Sequence, residues 1–198
     1  MDIDPLEIVE SAKPEKPRLT WLNPAVAITV ALLATFMGIC KVKDDNIVQA
    51  MQQAQADKID HWAYYQARNI REEIGRATLV QLKIQAITAT PAQQALVQEQ
   101  LSAYEGLIKD QAAKKEELKA QAENDQKTYD ALNFRDDQFD LSDASIAIAI
   151  SLLAVASLTQ LPLLFAAALV PSLFGVVMGM AGLAGWSLHP QALIQLLS

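Results

Sequence analysis

Charge is missing from the C-terminal part of this chain. The 55 residues from Ala144 to Ser198 contain no Asp, Glu, Lys or Arg, and all 39 charged residues of the 198-residue chain precede them. A water-soluble domain carries charged side chains over its surface. The uncharged segment therefore excludes a wholly water-soluble protein.

Cysteine, glycine and proline are also scarce. Cys40 is the only cysteine, so a disulfide framework and a cysteine-based zinc site are excluded within one chain. Seven glycines and eight prolines exclude collagen-like and low-complexity architectures. A net charge of -7 argues against nucleic-acid binding. We expect no metal, no cofactor and no nucleic-acid partner.

Three segments are long and apolar enough to cross a bilayer, whose hydrocarbon core needs about 20 residues of helix. They are residues 19–40, 141–160 and 163–186, between a polar tail of residues 1–18 and a short tail of residues 187–198. The residues Thr159 to Pro162 separate the last two spans, which predicts a tight hairpin. Asp140 or Ser142 is expected to cap the start of the second span.

The first span has two alternative interpretations, a cleaved signal peptide and a lipoprotein signal ending at Cys40. Residues 1–18 contain five acids and three prolines, whereas the region before a signal sequence is short and basic. Lipoprotein processing requires a small residue before the lipidated cysteine, and the bulky Ile39 before Cys40 fits it poorly. We therefore interpret residues 19–40 as a membrane anchor.

Residues 41–140 have the composition of long helices, with Pro91 as their one proline. Two series of positions alternate spacings of four and three, which is the coiled-coil repeat. The first series is Ile59, Ala63, Gln66, Ile70, Glu73, Ala77, Val80, Ile84 and Ile87. The second is Val97, Leu101, Tyr104, Ile108, Gln111, Lys115, Leu118, Ala122, Asp125, Tyr129 and Leu132.

The sequence Thr90-Pro91-Ala92-Gln93 separates the two series and has the form of a capping box with proline at the first helical position. It predicts a turn at residues 89–91. The sequence thus predicts an all-α membrane protein with three transmembrane helices and a long antiparallel coiled-coil hairpin between the first and second. Arms of about 45 residues would extend about 65 Å from the membrane.

The stretch Asp60-His61-Trp62-Ala63-Tyr64-Tyr65-Gln66-Ala67-Arg68 after a first span, followed by a helical hairpin and two closing spans, resembles a bacterial membrane family, domain of unknown function 4337. The resemblance covers nearly the whole chain, and its specific part is the Trp-Ala-Tyr-Tyr-Gln-Ala stretch. It implies location and architecture and brings no activity.

Orientation follows from that resemblance and from basic residues. Family members carry a basic loop between the last two spans, which implies a cytoplasmic loop and a periplasmic hairpin, but this chain has no charge in residues 159–162. Three basic residues precede the first span and two follow it, a small bias towards a cytoplasmic N-terminus. We expect a multi-pass protein of the bacterial inner membrane with a periplasmic stalk.

An aromatic and basic group within the hairpin has two interpretations. Trp62, Tyr64, Tyr65 and Arg68 either pack within the seam or form a contact surface for a partner. We favour packing for Trp62 and Tyr65, with a more exposed Tyr64 and a cation–π contact between Tyr64 and Arg68.

Charged residues near this group are expected to be structural. Asp57 lies one helical turn before His61 and predicts an ion pair on a solvated face rather than a catalytic or metal site. Arg68, Glu72 and Arg76 follow at four-residue steps and predict a second solvated ladder.

Gly175 and Gly179 form a GxxxG pattern in the third span, which lets helices approach closely in lipid. Glycine is also common in spans generally. We favour a packing face that contributes to self-association.

No span contains an ionisable residue, and no nucleotide-binding or hydrolase motif is present. We therefore expect a protein that is not an enzyme but a membrane scaffold or protein-interaction module, self-associating through the stalk and the glycine-rich span. Its partners would be the lipid bilayer, further copies of itself and an unidentified membrane or periplasmic protein. The alternative is an oligomeric channel or transport accessory subunit, with a pore lined by Ser145, Ser151, Ser157 and Thr159.

Overall fold

The computed structural model describes residues 20–188 and residue 190. These residues form three α-helices and no strand: α1 (Leu22–Thr88), α2 (Pro91–Thr159) and α3 (Pro162–Ala184). Each helix contains a segment long and apolar enough to cross a membrane. The prediction of an all-helical protein with three candidate spans is confirmed. The N-terminal tail, the first residue of the first span and most of the C-terminal tail lie outside the described residues.

Helices α1 and α2 continue without a break from apolar segments into polar ones. The expected N-cap at Asp140 or Ser142 is wrong, because both residues lie inside α2. Backbone hydrogen bonds that continue through a helix leave no free N–H groups for a cap to satisfy. The composition of each helix therefore changes from apolar to polar while the helix itself continues.

Local sequence accounts for both turns. Between α1 and α2 only Ala89 and Thr90 are non-helical, and Oε1 of Gln93 accepts a hydrogen bond from the backbone N–H of Thr90 at 3.1 Å, as the capping box predicts. Between α2 and α3 the chain turns at Gln160, whose φ is 56°, and α3 begins at Pro162. Proline at the first position of a helix gives up no backbone hydrogen bond.

The chain divides into two compact units. The span unit comprises Met1–Asp44 and Asp136–Ser198, and the middle unit comprises Asp45–Arg135. The core of the span unit takes buried residues from all three helices: Leu22, Val26, Leu33, Ile146, Ala149, Leu153 and Ala168. Trp21 and Phe165 stack edge to face at its margin, with ring centroids 6.0 Å apart.

In the middle unit, α1 and α2 contact each other through one face of each helix. On α2, every position of the predicted series is buried or half-buried. On α1, the predicted series is wrong, because all nine of its positions are exposed. The face of α1 that contacts α2 is another series, here called the inner seam: Ile47, Met51, Ala54, Lys58, His61, Tyr65, Arg68, Glu72, Gly75, Leu79, Leu82 and Ala86.

The inner seam also alternates steps of four and three, so α1 carries two coiled-coil repeats on different faces. From Lys58 onwards, each inner position precedes a position of the exposed series by one or two residues, which is on average about 150° around a helix. The series predicted from the sequence is the one with more isoleucine. The inner series mixes apolar residues with Lys58, His61, Arg68 and Glu72, and it packs against α2, where partners satisfy these four groups.

Candidate interaction surfaces

Interhelical polar contacts run along the inner seam. Nζ of Lys58 donates to Oε1 of Gln126, and Nδ1 of His61 lies 2.6 Å from Oδ2 of Asp125. The expected pairing of His61 with Asp57 is therefore wrong: Asp57 accepts a hydrogen bond from Gln53 instead. His61 thus contributes to contact between the two helices.

Glu72 is the one acid of the inner seam, and its side chain is 3% exposed. Its carboxylate accepts hydrogen bonds from Nζ of Lys115 on α2, at 2.7 Å, and from the guanidinium of Arg76, one turn along α1. The hydrogen bond from Lys115, followed by that from Arg76, lowers the pKa of Glu72 from its ordinary value. The same contact raises the pKa of Lys115. The prediction that Arg68, Glu72 and Arg76 form a solvated ladder is therefore wrong at Glu72. This residue is buried and forms part of a charged network between α1 and α2.

The aromatic group divides between two environments. Trp62 and Tyr65 stack edge to face, with ring centroids 5.2 Å apart and an interplanar angle of 77°. Tyr65 is half-buried in the inner seam, whereas Trp62 is 36% exposed and Tyr64 is 62% exposed. The guanidinium of Arg68 donates to Oε1 of Gln111 on α2 at 3.0 Å. Tyr65 and Arg68 therefore face α2, and the two other rings present aromatic surface to the outside.

The glycines of α3 pack against other helices of the same chain. A Cβ atom at Gly175 would lie 2.7 Å from Cγ1 of Ile146 and 3.0 Å from the carbonyl oxygen of Ser142, both in α2. At Gly179 it would lie 2.7 Å from the ring of Phe36 in α1. The absence of side chains at these positions lets the three helices of the span unit approach one another. This glycine face is therefore covered within the chain.

A cluster of acids lies in the span unit outside the predicted spans. Asp44 is 4% exposed and accepts a hydrogen bond from Nζ of Lys41 at 2.8 Å through Oδ2, while its Oδ1 is buried without a donor. Burial, followed by a hydrogen bond with Asp44, raises the pKa of Asp136 to about 7. Burial and the charge of Asp44 also raise the pKa of Asp140. When Asp44 and Asp136 are both ionised, neither carboxylate can donate a hydrogen bond to the other. A proton retained on Asp136 provides that donor.

The cluster does not have the geometry of a metal site. Among residues 20–188 and 190, no group of three His, Cys, Asp or Glu side chains is placed to hold a metal ion. The chemistry that the cluster supports is the sharing of a proton between α1 and α2.

Gln138 fixes the chain beyond α3. Its side chain is fully buried, and Nε2 donates to the carbonyl oxygens of Trp186 at 2.8 Å and Leu188 at 2.6 Å. Sequence reasoning missed Gln138 and the pair Asp44 and Asp136, because the residues involved are far apart in the chain. It could have found the inner seam, since Lys58, His61, Arg68 and Glu72 also follow the coiled-coil spacing.

Comparison with known proteins adds one finding to this geometry. The family model described as Domain of unknown function (DUF4337) matches residues 22–185, which is most of the chain and includes all three helices. No curated protein and no solved structure matches the chain.

Proposed function

The chain belongs to the family described as domain of unknown function (DUF4337), and from that premise and its helical surfaces we propose that it is a membrane-anchored scaffold that binds further copies of itself. In this proposal the three apolar segments cross the bacterial inner membrane. The middle unit forms an antiparallel coiled-coil hairpin on the periplasmic side.

The observation that carries the proposal is the continuity of α1 and α2. Each is a single helix with an apolar segment long enough to cross a membrane. Each also has a polar part whose side chains contact the other helix. These contacts pair rising residue numbers on α1 with falling numbers on α2, from Lys58 with Gln126 to Arg68 with Gln111. Such an arrangement presents long helical faces, which suit binding of other proteins.

The charged groups of the inner seam support a structural role for that seam. Lys58, His61, Arg68 and Glu72 all have partners on α2. Buried polar groups with partners stabilise and specify one pairing of helices. The inner seam would therefore hold the hairpin together, leaving the outer faces of the helices for partners.

Co-purification of differently tagged copies tests the proposal. Two tagged versions are expressed together, extracted from membranes in mild detergent and captured through one tag. We expect the second tag to be retained. Extracts of cells that each express one version, mixed after lysis, control for association in detergent. Loss of the second tag in the co-expressed sample would contradict self-association.

Labelling of a cysteine at the turn tests the proposed orientation. A Thr90→Cys variant in a Cys40→Ala background should react with a membrane-impermeant maleimide in intact spheroplasts. Reaction only after lysis would place the middle unit in the cytoplasm and contradict the proposed topology.

A further inference from the structure

The outer stripe of α1 is the largest regular apolar feature that the middle unit leaves uncovered. It consists of the nine exposed positions Ile59, Ala63, Gln66, Ile70, Glu73, Ala77, Val80, Ile84 and Ile87. Ile59, Ile70, Val80 and Ile84 are 57–61% exposed, and Ile87 is 82% exposed. Ile74, beside the stripe, is 60% exposed. Regular apolar surface of this kind marks an interaction site.

The two faces of α1 differ in a way that strengthens this conclusion. Over the same length, the inner seam places Glu72 buried, and Lys58, His61 and Arg68 half-buried, against α2 beside Leu79 and Leu82, while the isoleucines lie outside. Apolar burial stabilises an interface by about 25 cal/mol per Å². A helix that turns its β-branched residues outward gains this stabilisation only when a partner covers them.

The period of the stripe identifies the partner as a helix. Its positions alternate steps of four and three over four heptads without a slip, and this spacing keeps one face against a neighbouring helix in a left-handed coiled coil. Residues 59–87 extend about 43 Å along the helix axis. A partner therefore needs a helix of similar length with the same repeat.

The α1 helix of a second copy meets this requirement. Two copies inserted in one membrane have the same orientation, so their α1 helices would pair in parallel and in register. In that register Ile70 and Ile84 occupy two of the four a positions, where β-branched residues favour two-stranded parallel pairing, and the small residues Ala63 and Ala77 occupy the other two.

The flanking charges are compatible with this pairing. In a parallel dimer, flanking positions five residues apart face each other between chains. The pairs so formed are Trp62 with Ala67, Asn69 with Ile74, Arg76 with Gln81, and Lys83 with Thr88. None of them joins like charges. Glu73, the one acid of the stripe, occupies a d position and would face Glu73 of the second copy. Arg76, whose guanidinium lies 4.0 Å from Glu73 on the same helix, offsets part of this repulsion.

The area of the stripe favours a second copy over a soluble partner. A face about 43 Å long and about 10 Å wide covers roughly 430 Å² on each partner. The total is below the roughly 1,200 Å² of a typical stable interface between free proteins. Two chains anchored in one bilayer need less, because anchoring raises their effective concentration.

We propose that the outer stripe of α1 is a homodimer interface, on which the α1 helix of a second copy packs in parallel and in register. This inference rests on the proposed function as a membrane-anchored, self-associating protein. It adds the surface, the orientation and the register.

Disulfide trapping in native membranes tests the register. Cα atoms must approach within about 4.4–6.8 Å for a disulfide to form. Ala63→Cys and Ala77→Cys, each in a Cys40→Ala background, should form covalent dimers under mild oxidation. Ala103→Cys is the matched control, because Ala103 is also exposed but lies on α2. Equal cross-linking at all three positions would indicate random collision and overturn the inference. Cross-linking to a different protein at Ala77→Cys would also overturn it.

Exposed lysine substitutions provide a second test. Ile70→Lys and Ile84→Lys alter side chains that are exposed in the single chain, so α1 should still fold while the dimer dissociation constant rises more than about tenfold. Leu96→Lys, at an exposed position of α2, should leave it unchanged.

The outcomes separate the two proposals. Self-association that is insensitive to Ile70→Lys and Ile84→Lys would overturn the inference and leave the proposed function standing. A wild-type protein that remains monomeric would overturn both.

Discussion

Replacement of Gly175 by alanine should destabilise the span unit through one identifiable contact. The added Cβ would lie 2.7 Å from Cγ1 of Ile146, 3.0 Å from the carbonyl oxygen of Ser142 and 3.2 Å from the backbone nitrogen of Ile146. Two of these three atoms belong to the backbone of α2. They cannot move unless the helix moves, so α2 and α3 must separate slightly along this face.

The magnitude follows from two opposing terms. Overpacking of a close-packed interior costs about 1–3 kcal/mol. Alanine is favoured over glycine within a helix by up to about 1 kcal/mol. Gly38→Ala is the matched control, because Gly38 is exposed in α1 and no atom lies within 4 Å of its added Cβ. The difference in stability between Gly175→Ala and Gly38→Ala isolates the close contact, at about 1–3 kcal/mol.

Cys40 provides the assay. It is the only cysteine of the chain and is fully buried in the span unit, so its reaction with a fluorogenic maleimide during heating reports opening of that unit. A difference of 1 kcal/mol shifts the midpoint by about 2–4 °C in a chain of this size. Gly175→Ala should therefore open at least about 2 °C below Gly38→Ala. Equal midpoints would refute the reasoning that the glycine face is a close contact between helices of one chain.

Three further predictions concern side chains of both units. Glu72→Gln should lower the thermal midpoint of helical circular dichroism, because it leaves the ammonium of Lys115 without its anionic partner. Adding Lys115→Met removes that ammonium and should recover part of the loss. Losses in midpoint that simply add in the double variant would contradict the network. Because the pKa of Asp136 is raised to about 7, the folded state retains a proton that the unfolded state releases near pH 4. The free energy of unfolding should therefore fall as the pH rises from about 4 to about 7. If the Asp136→Asn variant keeps the same dependence of unfolding free energy on pH, this assignment is wrong. Trp62→Ala should cost only about 1–2 kcal/mol because the ring is partly exposed, with Tyr64→Ala nearly silent; a loss above about 3 kcal/mol at Trp62 would indicate a buried ring.

Helix boundaries could be predicted from the sequence because local signals fix them. Pro91 and Pro162 begin helices, the capping box at Thr90 orders the first turn, and uncharged segments identify the candidate spans. These effects act within a few residues, so composition and spacing reveal them. The same logic failed at Asp140 and Ser142, since a residue with capping chemistry caps only where a helix begins.

The choice of face on α1 could not be predicted by apolar content alone. Two coiled-coil repeats overlap on this helix, and the more aliphatic one was the natural choice. The less aliphatic repeat faces α2 because Lys115, Gln111 and Asp125 provide partners for its charged groups. Such compensation depends on residues that are distant in the chain. The partners of Gly175 in the span unit depend on tertiary structure in the same way.

The central claim is that this chain assembles with copies of itself in a membrane, and its mass in a lipid environment tests the claim most directly. The protein is reconstituted in lipid nanodiscs at low density, and the protein mass per particle is measured by native mass spectrometry after the lipid and belt contributions are removed. The account predicts two or more copies of the 21.6 kDa chain, with Ile70→Lys shifting the population towards one copy. A single copy of the wild-type chain in every particle, at all ratios of protein to lipid, would contradict the account.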